Sequence, residues 1–116
     1  MKAKANVQIT GAVFEIGYAA AIVEAIYDDY HVEFVMTSCR DSMHGTGSLH
    51  YKGLAFDCRT RAFVTKTQGN NILKEMRKKL EPLGFDVVDE RLTKESPHFH
   101  VEFQPKGGEK FLEVVA

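Results

Sequence analysis

The sequence predicts an α+β domain, with helices packed on one face of a small, mostly antiparallel sheet. Three observations carry this. Apolar residues recur at three- and four-residue steps over residues 16–30, and again over residues 72–83. Short runs rich in β-forming residues follow each of these stripes. The resulting order is helix, strands, helix, strands, which segregates the helices to one side of a sheet.

The first stripe comprises Ile16, Ala19, Ala20, Val23, Ile26, Tyr27 and Tyr30, and it predicts an amphipathic helix. His31 to Ser38 alternates through Val32, Phe34, Val35 and Thr37, as a strand does. A polar loop with Gly45 and Gly47 follows over Asp41 to Ser48. Leu54 to Cys58 is a second strand, which Arg61 to Thr65 either extends or follows with another. Asn70 or Asn71 is the expected N-cap of a helix burying Ile72, Leu73, Met76, Leu80 and Leu83, with Gly84 beyond its end. Phe85 to Val88 and Phe99 to Phe103 form two further strands, joined across the polar stretch Asp89 to Pro97. Phe111 to Val115 adds an edge strand.

With 116 residues, positions 1–116 are expected to form a single domain. Hydrophobic residues at 44% and charged residues at 27% are ordinary for a globular chain. A domain of this size buries most of its surface without help from a disulfide or a metal, so a metal site is available for function. The net charge of −1, from 15 basic and 16 acidic residues, argues against a nucleic-acid partner. The basic run Lys74 to Lys79 contains Glu75 and is a solvated helix face. Positive charge near Met1 is not followed directly by an apolar run, and Glu15, Gly17 and Glu24 interrupt Val13 to Tyr27. Neither a signal peptide nor a membrane span is expected, which places the chain in the cytoplasm as synthesised. Cys39 and Cys58 are then expected as buried free thiols.

The residues with metal-binding chemistry fall in two places. His50 and Asp57 stand seven residues apart with Gly53 between them. A loop turning at that glycine brings the imidazole back over the strand end that carries the carboxylate, and both groups suit zinc. In His98-Phe99-His100-Val101-Glu102-Phe103 the alternation is strict, so His98, His100 and Glu102 share one strand face while Phe99, Val101 and Phe103 share the other. Together these residues offer three or four nitrogen and oxygen donors, a set that suits zinc better than magnesium or calcium.

Ser48-Leu49-His50-Tyr51-Lys52-Gly53-Leu54-Ala55-Phe56-Asp57 matches the pattern S-x-H-x-x-G-x-A-x-D at every fixed position. In this the chain resembles the D-Ala-D-Ala metallopeptidases and their relatives, a group that includes phage L-Ala-D-Glu endolysins and the Hedgehog signalling domain. Thr37-Ser38-Cys39-Arg40-Asp41-Ser42 resembles the T-S-G-Y-R-S stretch upstream of that pattern, shorter by one residue. With the His-x-His strand downstream, the resemblance spans Glu33 to Phe103.

The resemblance implies a fold like that of Hedgehog and the D-Ala-D-Ala peptidases, and zinc held by His50, Asp57 and a histidine of the His98–His100 pair. Relatives with His-x-His use the second histidine for the metal and the first for catalysis or transition-state stabilisation, which gives His100 and His98 those roles. Relatives with E-x-x-H use an acid three residues before the ligand as base, which gives Glu95 and His98. His-Val-Glu after an aromatic resembles the family's closing His-Val-Asp and favours His100, with Glu102 in a supporting role. Arg40 corresponds to the arginine that binds the substrate carboxylate or carbonyl. The implied substrate is a peptidoglycan stem peptide, cut at D-Ala-D-Ala or L-Ala-D-Glu, with release to the cell wall if the chain is phage-encoded. The Hedgehog branch implies an alternative, a binding module that keeps the site without turnover.

Overall fold

The computed structural model describes residues 2–3, 14–39, 55–92 and 96–104. Helix α1 (Phe14–Asp29) buries Ile16, Ala19, Ala20, Val23, Ile26 and Tyr27 of the expected stripe, while Tyr30 falls just beyond its end and is partly buried. It ends in a left-handed cap. His31 takes φ 58°, and its N–H donates to the Asp28 carbonyl at 2.9 Å. The Val32 N–H donates to the Tyr27 carbonyl at 3.0 Å, which completes a Schellman motif.

Strand β1 (Met36–Ser38) is shorter than the expected His31–Ser38. Val32, Phe34 and Val35 are buried but precede the ladder, because the cap at His31 fixes how the chain leaves α1. A register shift between Met36 and Ser38 marks a bulge where β1 meets β2 (Ala55–Arg59). Helix α2 (Lys66–Leu80) begins earlier than expected. Thr65, rather than Asn70 or Asn71, is its N-cap, and the Thr65 hydroxyl accepts the Gln68 N–H at 3.0 Å. The Gln68 side chain in turn accepts the Val64 N–H at 2.7 Å, so threonine and glutamine close the helix start reciprocally. Arg61 to Thr65 therefore forms a turn and a cap and no strand. A 3-10 turn over Glu81–Leu83 follows α2, and Gly84 at φ 93° supplies the left-handed residue that ends it.

Strands β3 (Phe85–Glu90) and β4 (His98–Phe103) complete a four-stranded antiparallel sheet in the order β1-β2-β4-β3. β3 continues two residues beyond the expected Val88. The expected edge strand at Phe111 to Val115 lies outside the described residues.

Alternation along β2 and β4 divides the sheet into two chemistries. Phe56, Cys58, Phe99 and Val101 are fully buried and join the core with α1 and α2. Asp57, His98, His100 and Glu102 lie in the opposite phase. Cys39 and Cys58 are both buried and form no disulfide. The Tyr27 hydroxyl donates to the Arg59 carbonyl at 2.8 Å and lies 3.4 Å from Cys58 Sγ. Burial pushes the Cys58 thiol up to about 12, and burial beside that thiol also raises the Tyr27 phenol.

The outer end of β3 is tied to α2. Arg91 donates to both carboxylate oxygens of Asp89 at 2.9 and 2.8 Å and to the Asn70 side chain at 2.7 Å, and it lies 5.2 Å over the Phe99 ring. Gly69 permits this approach. A Cβ there would collide with the Arg91 guanidinium and come within 2.7 Å of the Phe63 ring.

Candidate metal centre

β4 lies between β2 and β3, so groups from three strands meet on its polar face. Asp57 is directly opposite His100 across β2–β4, and Glu90 is directly opposite His98 across β3–β4. Facing residues in an antiparallel ladder stand close enough for their side chains to touch.

The contacts follow that register. His100 Nδ1 donates to Asp57 Oδ1 at 2.8 Å, and its Nε2 donates to Glu102 Oε1 at 2.7 Å. His98 Nδ1 donates to the Ser96 carbonyl at 2.8 Å, and its Nε2 lies 3.1 Å from Glu90 Oε1 and 3.7 Å from Asp57 Oδ2. Asp57 is 7% exposed, which places its carboxylate in the sheet surface rather than in open solvent. Burial alone would lower the pKa of His100, but the Asp57 and Glu102 carboxylates outweigh it and raise the pKa above the ordinary histidine value.

Donor atoms of Asp57, Glu90 and His100 all lie within 4.8 Å of one another, so these three residues could hold a metal ion. Two donors on one tetrahedral zinc stand about 3.3 Å apart, given bond lengths near 2.0–2.1 Å. The 2.8 Å between Asp57 and His100 needs only a small widening to accept the ion. Glu102 then fits as outer support, because a metal-bound histidine commonly donates its second N–H to a carboxylate.

Of the residues singled out from the sequence, Asp57, His98 and His100 converge here. Arg40, His50 and Glu95 lie outside the described residues. Comparison with protein-family models, curated proteins and solved structures finds no match. Among the described residues, no helix is long and apolar enough to cross a membrane.

Glu90 is the site residue that sequence reasoning missed. It falls in the polar stretch first assigned to the β3–β4 connection. Pairing Phe85 with Phe103, the two aromatics at the open end of the hairpin, would have brought Glu90 opposite His98. A cleft of about 680 Å³ opens beside the Glu90–His98 end of the hairpin, lined by Thr60, Phe63, Val64, Leu92 and Pro97 among others. None of the metal-binding donors lines it.

Proposed function

We propose that this chain is a zinc-dependent peptidase that hydrolyses a peptide bond of peptidoglycan stem peptides, of the D-Ala-D-Ala carboxypeptidase or L-Ala-D-Glu endopeptidase type. One observation carries the reading. The carboxylate that ends S-x-H-x-x-G-x-A-x-D, Asp57, touches the second histidine of His-x-His, His100, from 43 positions away in the chain. Convergence of those two motif ends on one sheet face is what a shared metal requires.

In this reading Asp57 and His100 are ligands, and the resemblance supplies His50 as the third. Zinc bound by three protein groups provides a water of lowered pKa and a Lewis acid for the scissile carbonyl. Glu102 holds the outer nitrogen of His100. His98 stands at the edge of the centre, and in this reading His98, or the Glu95 that the resemblance supplies, handles the proton that passes from water to the leaving amine. Arg40 steadies the substrate carboxylate or carbonyl oxygen.

The test is digestion of purified muropeptides by protein carrying one zinc per chain. Release of D-alanine, or scission between L-alanine and D-glutamate, is expected. Absence of cleavage at either bond and of any muropeptide product sinks the proposal.

A second reading has its own support in the 3.7 Å between His98 and Asp57. Were His98 to join His100, Asp57 and His50 on the ion, the tetrahedron would close. The chain would then be a non-catalytic zinc-containing binding module of the same fold. Exchange of His98, Glu95 or Arg40 separates the two. A peptidase loses turnover in at least one of these variants while zinc stays bound.

A further inference from the structure

The two sides of the His98 imidazole are held by different parts of the chain. Nδ1 donates to the carbonyl of Ser96, two residues earlier, at 2.8 Å. A carbonyl oxygen can only accept, so this nitrogen carries a hydrogen and has no lone pair to offer a metal. Nε2 is thereby the nitrogen turned toward the centre, and there it meets Glu90 at 3.1 Å.

The placement of Glu90 is enforced from its neighbours. Asp89 and Arg91 bond each other on the helix side of the sheet, and Arg91 reaches across to Asn70 of α2 and lies over Phe99. With both neighbours drawn to that side, strand alternation sends Glu90 to the opposite face, where the ladder sets it against His98. Its side chain is 37% exposed and that of His98 is 20% exposed, so the contact is partly shielded from water.

We propose that Glu90, although its carboxylate lies within reach of the Asp57 and His100 donors, is the positioning residue of His98: its Oε1 is taken up by His98 Nε2, which fixes the imidazole beside the metal and keeps both residues outside the ligand set. The proposal rests on the peptidase reading for its catalytic consequence, but the geometry it claims is independent of substrate. It also supplies the centre with a carboxylate from β3, distinct from the Glu95 expected from the sequence. A histidine braced by a carbonyl on one nitrogen and a carboxylate on the other cannot turn its ring without losing both bonds.

Two measurements on zinc-loaded Glu90→Gln test this. The first is the imidazole nitrogen resonances of His98 and His100 by NMR. Those of His98 should move and broaden, and those of His100 should stay. The second pairs zinc affinity with steady-state kinetics. Affinity and KM should be unchanged, while kcat falls about 10–100-fold, the range for losing a supporting partner. Adding Glu90→Gln to His98→Gln should cause no further loss of kcat.

Unchanged His98 resonances overturn the proposal. A tenfold or larger loss of zinc affinity in Glu90→Gln also overturns it, because Glu90 is then a ligand. If the wild-type protein cleaves no muropeptide while His98 still responds to Glu90→Gln, the peptidase reading falls and the positioning role stands.

Discussion

His100 sits between two carboxylates and donates to both, Asp57 through Nδ1 and Glu102 through Nε2. In the metal-free chain this favours the doubly protonated ring. Burial opposes that charge, yet the two carboxylates outweigh it and the folded-state pKa is raised. A raised histidine value stabilises the fold fully below the unfolded value, near 6.5, and the contribution fades as pH climbs through the higher folded value. His100→Asn should therefore destabilise chelator-treated protein more at about pH 6 than at about pH 9, judged from urea midpoints. A penalty that grows with pH contradicts this. Were zinc bound at Nδ1, the proton there would be released to solvent and the Glu102 bond would remain. Glu102→Gln should then weaken zinc binding about 10–100-fold in competition with a chromophoric chelator. An unchanged affinity would remove Glu102 from the centre.

Elements are positioned by their ends, and the end of α1 is strained. His31 adopts φ 58° with an ordinary Cβ, where glycine is the usual occupant. His31→Gly should stabilise the protein by about 0.5–1 kcal/mol, because relief of the left-handed penalty exceeds the added entropy of the unfolded chain. Denaturant unfolding measures this, and a loss of stability would mean that the side chain contributes contacts that outweigh the strain. Both helices and the face of each site residue on β4 were legible in the sequence, since periods of 3.6 and 2 are written directly in residue order. The start of α2 was less so. Asn70 and Asn71 are good caps in isolation, but the reciprocal Thr65–Gln68 closure competes better and extends the helix by a turn. The contact between Glu90 and His98 was illegible for a different reason. It depends on hairpin register, and the polar residues from Asp89 to Pro97 carry no alternation that fixes where pairing begins.

At the scale of the molecule, the candidate metal-binding residues and the hydrophobic core occupy opposite faces of the same two strands. Phe56, Cys58, Phe99 and Val101 bury against α1 and α2, while Asp57 and His100 project from the other side. The core contains Tyr27, Phe85, Ile72, Met76 and Leu80 besides, and none of these depends on the ion for its burial. Zinc should consequently act on stability by mass action alone, adding roughly 3–4 kcal/mol when free metal exceeds its Kd by 100- to 1,000-fold. Stripping the protein with a strong chelator is therefore expected to lower the thermal midpoint while far-ultraviolet and aromatic circular dichroism persist and unfolding stays cooperative. Muropeptide cleavage should vanish in the stripped protein and return with one equivalent of zinc. A closed four-ligand site that organises the fold would behave otherwise, because there the free energy of binding is largely the free energy of folding. Collapse of the aromatic signal on chelation would thus favour the structural zinc module over the peptidase. The separation of the two faces is the reason to expect the signal to survive.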